Sequence, residues 1–486
     1  MDSPPLYRRL AEHYLTAIEA GALLPGDRLP SLRQLMRQHQ VSLSTALEMY
    51  HQLESAGWIE ARPRSGYFVR RPRRAEATRA AHPDEEAALQ QTPDPAQYVG
   101  IHARVSEFVA QGRLHPAKTN LSIARCAPEL YPAEAMRQAT MRALRQQPEL
   151  LVKAAPHNGD PAFRALLAKR ALRIGLTLSP EQVLVTHGCI EALNLALRAV
   201  AQPGDTIAVE SPTFYGLLQI LESLGMRALE IPTSPHTGIA IEAMELAVQT
   251  YDNIKALVVV PHLQNPLGSI MPDSHKERLL ALCEAHGIPL IEDDSYSELV
   301  DSDTPLRAIK SWDRSGNVIH CASLHKILAP GLRLGWMAAG RWQARVEMLK
   351  YAQTRTNEAL AQIAAAEYMA SSAYDRHLRR LRGQLRSQRE RTAEAVATYF
   401  PAGCRFKLPQ GGLMLWIELP QGLSSKTVFD AALAEGIMVA PGLMFSNSNR
   451  FEHYLRLNCG WPYSPALEQA IARLGAIIGE LLGKAG

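Results

Sequence analysis

The stretch ASLHKILAPGLRLGW, residues 322–336, decides how the larger part of this chain is read. Lys326 follows Ser323 by three residues and precedes Arg333 by seven, with apolar runs on either side, NVIHCAS (317–323) and RLGWMAAG (333–340). A lysine that traps an aldehyde covalently must be held in place and partly desolvated, so that a neutral amine is accessible. Ser323 and Arg333 beside it suit a phosphate, the arginine through paired donors. Further out lie the runs QVLVTH (182–187), TIAVE (206–210), ALVVVP (256–261) and IPLIEDD (288–294). Strands covered on both faces need such runs, and their alternation with helical patterns predicts an α/β fold with a mainly parallel sheet. Gly188, Ser211, Asn265, Asp293 and Ser323 follow or end these runs, at the carboxyl edge where open parallel sheets bind ligands.

Several of these residues suit one kind of ligand. IEDDSYSEL (291–299) sets Asp293 and Tyr296 at a strand end, where a carboxylate can keep a pyridine nitrogen protonated and a phenol can bond the ring's phenolic oxygen. PHLQNPLGS (261–269) puts Asn265 on a Pro-flanked turn as a second donor to that oxygen. THGCIEALNLAL (186–197) places Gly188 at a strand-to-helix junction, where N–H groups and the helix dipole favour a phosphate. SPTFYG (211–216) offers Phe214 for stacking on a ring. Singly, NPLG reads as a turn, Asp293 as a helix cap and Phe214 as core.

Taken in this order, from about residue 119 to the end, they resemble the fold-type I aminotransferases that bind pyridoxal 5′-phosphate. The resemblance implies that Lys326 carries the cofactor, Asp293 pairs with its pyridine nitrogen, Asn265 and Tyr296 bond its phenolic oxygen, and Phe214 stacks on it. The phosphate would lie on Ser323, Arg333 and the backbone around Gly188, Cys189 and Ile190. Arg456 in YLRLNCGW (454–461) matches the arginine that clamps a substrate α-carboxylate. Cys189 and Ile190 depart from the usual hydroxyl residue and Gln, and His325 replaces the serine before the lysine. Ala154, five residues before Gly159, stands where the family's partner subunit offers a tyrosine to the phosphate. Fewer side-chain donors are therefore expected there.

The front of the chain reads differently. LYRRLAEHYLTAIEA (6–20) has helical spacing and is stopped by Gly21; a turn leads to SLRQLMRQHQ, with Ser31 as its N-cap. VSLSTALEMYHQLESAG (41–57) is a second amphipathic helix, capped by Ser42 or Ser44 and closed by Gly57, and WIEARPRSGYFV (58–69) reads as a hairpin. This is a winged helix-turn-helix, whose second helix enters the DNA major groove by its N-terminal end. Ser42, Leu43, Ser44 and Thr45 would meet double-stranded DNA first, with Arg33, Arg62 and Arg64 reaching phosphates or the minor groove. The motifs PGDRLPSxRxL, VSxxTAxxxYxxLExxGW and RxRSGYFV resemble the GntR superfamily, which implies DNA contacts at Arg33, Ser44, Thr45, Ser65 and Gly66. Leu43 and Leu47 stand where some relatives carry base-reading arginines.

Charge and composition agree with this division. Residues 1–74 hold eleven arginines, no lysine and seven acidic residues, so the whole formal excess of +4 lies there and the remainder is neutral. Residues 71–97, with four prolines and few large apolar side chains, read as a linker between a DNA-binding domain at 1–70 and an aminotransferase-like domain at 98–486. No run approaches the roughly 20 apolar residues of a membrane span, and no apolar core of a signal peptide opens the chain. The six cysteines show no metal-ligand spacing, so no metal is expected and reduced thiols in a cytoplasm are.

The whole layout resembles the MocR subfamily of bacterial regulators. It implies a homodimeric regulator that senses an amino acid, an amine or the cofactor. Two other readings use the same residues: an active aminotransferase that carries a DNA-binding module, and a DNA-binding protein whose body is only a scaffold.

Overall fold

The computed structural model of the chain describes residues 5–19, 22–24, 26–56, 58–62, 66–69, 96–302 and 304–485. At the front, α1 (Leu6–Glu19), α2 (Leu32–His39) and α3 (Leu43–Ser55) precede a hairpin of β1 (Ile59–Arg62) and β2 (Gly66–Val69). Ser31 caps α2 reciprocally: Gln34 N–H donates to Ser31 Oγ at 3.3 Å, and Ser31 N–H to Gln34 Oε1 at 2.9 Å. Of the two serines that could cap α3, Ser42 does so, accepting from Thr45 N–H at 3.3 Å. Leu35, Ala46, Met49 and Tyr50 are fully buried, and the Tyr50 ring stacks on Tyr67 of the hairpin, 4.3 Å between centroids. The hairpin pairs Ile59 with Val69 and Arg62 with Gly66, which forms the expected wing. Gly21, Gly57, Arg64, Ser65, the side chain of Arg62 and residues 71–95 of the expected linker lie outside the described residues.

The body is built on one sheet in the order Ala96–Tyr98, Arg227–Ser234, Thr206–Ser211, Ile254–Val259, Leu290–Asp293, Val318–Ser323, Gly335–Ala338, Leu184–Thr186. The first of these strands starts two residues inside the stretch read as linker. Pairing is parallel from Arg227–Ser234 through Val318–Ser323. Gly335–Ala338 runs antiparallel to both neighbours, because it returns directly from the lysine loop without a crossover helix. All six residues of Thr206–Ser211 are buried, as an apolar run covered on both faces requires. Successive residues serve opposite cores: Leu184 joins Leu193 and Leu197 of the helix Cys189–Val200, whereas Val185 joins Phe163, Leu167 and Trp336. A second sheet, containing Met414–Glu418 and Tyr454–Asn458, carries Arg456.

One contact fixes how the sheet meets the helix Cys189–Val200. A Cβ on Gly335 would lie 2.7 Å from the Gly188 backbone, so the strand or the helix start would have to shift to make room. Gly331 has nothing within 4 Å of such a Cβ. Gly335→Ala is expected to lower the stability of the body by about 1–3 kcal/mol, the usual cost of overpacking. Gly331→Ala should leave it unchanged, and thermal unfolding of the two variants side by side measures the difference.

Candidate functional site

Two groups of side chains meet at the carboxyl edge of the main sheet, joined through the consecutive residues Gly188 and Cys189. In the first, Gly188 adopts φ 81°, a left-handed conformation that a glycine takes without strain. A Cβ there would stand 3.3 Å from Arg333 Nη2, so its absence lets the guanidinium lie over the backbone. Arg333 donates from Nη2 to the His187 carbonyl at 3.3 Å, and its Nη1 lies 3.3 Å from His325 Nδ1. The first-turn N–H groups of Cys189–Val200 have no partners within their own helix and, with Arg333, stand where a cradle could receive an anion. Ser323, at its strand end, accepts the His325 N–H at 3.2 Å. Burial and the charges of Lys326, Arg333 and Arg125 push the His325 imidazole down to about 4, so it is neutral at ordinary pH.

The second group surrounds Lys326. Its amine donates to the Ala124 carbonyl and lies 5.8 Å from the centre of the Tyr296 ring. Burial, and then the positive charge of Arg456, bring the amine down to about 8. Asp293 is buried and takes all three of its hydrogen bonds on Oδ1, from Ser295 Oγ (2.6 Å), Ser295 N–H (3.1 Å) and Cys189 Sγ (3.1 Å). Burial pushes this carboxyl up while those donors draw it back. Arg456 is only 1% exposed. It donates to Asn265 Oδ1 at 3.0 Å and to the Ser122 carbonyl, and it lies 4.8 Å from the centre of the Phe445 ring. Because Oδ1 of Asn265 is occupied by Arg456, its NH₂ is the end left to donate. Burial pushes the Tyr296 phenol up, partly offset by Arg456.

The structure thus brings Lys326, Asp293, Tyr296, Asn265 and Arg456 together, with Gly188, Ser323 and Arg333 on the adjoining side. The Cys189 side chain turns to Asp293, leaving its backbone for the cradle. Ile190 is 41% exposed and contributes no side-chain contact to the group. Phe214 precedes the helix Tyr215–Ser223 with its ring 5.0 Å from Tyr215, whose phenol favours the charge on Arg456. Tyr215, Ser295 and the carbonyls of Ser122 and Ala124 were not singled out in the sequence. Ser295 had a signal, a hydroxyl two residues after Asp293, whereas the carbonyls had none.

The expected DNA-contacting residues sit at the N-terminal ends of α2 and α3. Ser44 Oγ and Thr45 Oγ1 each lie 2.9 Å from Ser42 Oγ. Leu43, Ser44 and Leu47 line a shallow cavity whose other wall is Leu229, Ile231, Ala243, Ala247 and Tyr251 of the body. Arg33 donates to Gln249, and Gly66 opens β2 at φ 93°. The helix tip therefore packs on the body in this structure. Among the described residues, no cluster of metal-ligating side chains occurs and no helix is long and apolar enough to cross a membrane.

Fold and site define a DNA-binding module joined to an aminotransferase-like body. Residues 6–69 match the gntR family of bacterial regulatory proteins, and residues 116–474 match aminotransferase class I and II. The chain belongs to the GntR-type transcriptional regulators of MocR-like architecture, which join these two domains. It is 37% identical over 477 residues to the uncharacterized HTH-type transcriptional regulator YdcR of Escherichia coli K12, covering 98% of this chain and 99% of that one. It is 34% identical to YjiR, a second uncharacterized HTH-type regulator of that strain, covering 97% and 98%. Among solved structures, LysN, the α-aminoadipate aminotransferase of Thermus thermophilus, superposes with a TM-score of 0.72 at 27% identity, covering 79% of this chain and 96% of that one. The kynurenine aminotransferase of Pyrococcus horikoshii gives 0.73 at 26% identity, covering 82% and 97%. The aminotransferase class I and II family depends on pyridoxal phosphate.

The depressed amine has a kinetic consequence. With a pKa of about 8, roughly a tenth of Lys326 is neutral at pH 7, against less than about a thousandth for a free lysine. Reaction with an aldehyde such as pyridoxal phosphate should accelerate as pH rises and reach half its limiting rate near pH 8. Stopped-flow absorbance across pH 6–11 checks this, and a midpoint near that of free lysine contradicts the buried environment.

Proposed function

We propose that the chain is a DNA-binding regulator that holds pyridoxal 5′-phosphate on Lys326 and senses an amino acid or amine there. The observation that carries this reading is the buried guanidinium of Arg456, without a carboxylate partner among the described residues, beside the half-buried Lys326. A buried cation costs several kcal/mol unless an anion meets it, and a ligand's α-carboxylate is such an anion.

The donor set fits the cofactor. Arg333, the Ser323 hydroxyl and the backbone of Gly188, Cys189 and Ile190 would hold the phosphate. Asp293, with Oδ1 saturated, would offer Oδ2 to the pyridine nitrogen. Asn265 and Tyr296 would face the phenolic oxygen, and Phe214 the ring. When bound, the group supplies an aldehyde that an amino group can exchange with and an electron sink for it. The protein's own part is to lower the proton affinity of Lys326, orient the carboxylate on Arg456 and keep the proton on the pyridine nitrogen.

Ser42, Ser44, Thr45, Arg33 and the wing residues Arg62, Arg64, Ser65 and Gly66 would contact DNA. The packing of Leu43 and Leu47 on the body supports a route by which the pocket influences that contact. A homodimer acting in the cytoplasm is part of this reading; Leu151 and Val152, strongly exposed, offer apolar surface to a second copy. Turnover as an aminotransferase is the second reading, favoured by the near-neutral amine.

The purified protein with pyridoxal phosphate should show a visible absorption band that Lys326→Ala lacks. Amino acids should shift that band and alter binding to genomic fragments selected by the protein, with no change in the variant. Sustained keto-acid production from amino acids without any effect on DNA binding would favour the enzyme instead.

A further inference from the structure

Two faces of α3 are occupied. Ala46, Met49, Tyr50 and Leu53 are buried in the core of its own module. Leu43 and Leu47 line the cavity against the body. His51, four residues further along that second face, meets Phe451 of the body edge to face, 6.5 Å between ring centroids. Opposite them stand Leu229 and Ile231 of the strand Arg227–Ser234 and Ala247 of the helix Ile241–Thr250, all buried. Arg33 adds its hydrogen bond to Gln249. The end of α3 expected to enter the major groove thus lies on apolar side chains of the body, and one helix face cannot meet both at once.

From Phe451 a row of rings runs to the ligand pocket. Phe451 lies 6.1 Å from Trp416 and Trp416 5.3 Å from Phe445, both edge to face, and Phe445 faces the Arg456 guanidinium at 4.8 Å. Rings packed in this way hold defined angles to one another, so displacing one displaces the next. Between Phe445 and Phe451 the chain is held by Glu230, which accepts from Ser446 Oγ at 2.7 Å and Asn447 N–H at 2.6 Å and also lines the cavity under Leu47. Resting on the proposed function, we propose that the body is a docking surface that withholds α3 from DNA, and that the rings of Phe445, Trp416 and Phe451 let a ligand on Arg456 set the balance between docked and released helix. A carboxylate on Arg456 weakens the attraction between that guanidinium and the Phe445 ring. The helix, docked or released, is the two-state element that DNA and ligand both bias.

The test uses the full-length protein loaded with pyridoxal phosphate and a genomic fragment selected by the wild type. His51→Cys combined with Phe451→Cys, bridged by a short bis-methanethiosulfonate, should bind the fragment far more weakly than the same protein after reduction. Each single variant treated alike should not respond to reduction. Ala247→Arg, which puts a long charged side chain under Leu47, should bind the fragment about tenfold more tightly than the wild type, the gain expected when about nine-tenths of the molecules are docked. Trp416→Leu should keep the shift of the visible band by amino acids and lose their effect on DNA binding. Bridging without effect, an Ala247→Arg protein with a normal band shift that binds DNA no tighter, or an amino-acid effect that survives Trp416→Leu would overturn the proposal and leave the regulator reading intact. If Ala247→Arg loses its band, the bridged protein decides alone. A wild type that selects no fragment or shows no visible band would remove both.

Discussion

The backbone of Gly335 rests directly on that of Gly188, and the anion side of the pocket hangs on this contact. Gly335 lies two residues after Arg333 on the strand that returns from the lysine loop, and Gly188 starts the helix Cys189–Val200. With no side chain between them, the last strand lies close against the helix start, and Arg333 reaches across it to the His187 carbonyl. Registering Gly335 against Thr186 on one edge and Ser323 on the other brings Lys326, three residues after Ser323, to the same end. The Arg333 side and the Lys326 side of the pocket are therefore positioned by one piece of packing. Larger residues at either glycine would move both.

Within that frame the pocket carries more positive than negative charge. The half-buried Lys326 lies close to the buried Arg456, and Asp293 is the carboxylate whose charge acts on Lys326. Carbonyl dipoles from Ser122 and Ala124 substitute for counter-ions, a weaker compensation than a full charge. Lys326 responds by losing affinity for its proton, and His325 stays neutral. Cys189 shows how the departures from the enzyme pattern are absorbed. Its thiol turns inward and donates to Asp293.

The fold was legible where strands are buried on both faces. Runs such as TIAVE and IPLIEDD have no alternation to confuse with a half-exposed strand, and polar residues at their ends mark the edge where ligands bind. Lys326, Asp293, Tyr296 and Asn265 were singled out because each follows or closes such a run, whereas Arg456 stands mid-strand and was singled out only through the family resemblance. The antiparallel direction of Gly335–Ala338 could not be read, since periodicity carries no direction. Nor could the roles of Ser122 and Ala124, which act through carbonyls that every residue possesses. The tip of α3 was expected from the sequence to meet DNA, and Leu43 and Leu47 were visible as odd residues there. Only the structure shows apolar body residues opposite them.

The cysteines carry a different consequence. Five of the six are buried, and burial raises the thiols of Cys126 and Cys404 to about 11, those of Cys283 and Cys459 to about 12, and those of Cys189 and Cys321 well above the ordinary thiol range. Alkylating reagents attack the thiolate, so a folded body presents them with almost nothing to react with. Because these residues are scattered from the pocket floor to the second sheet, each becomes a silent reporter of its own neighbourhood. The order in which they acquire a label under mild denaturant would map the sequence in which the molecule opens.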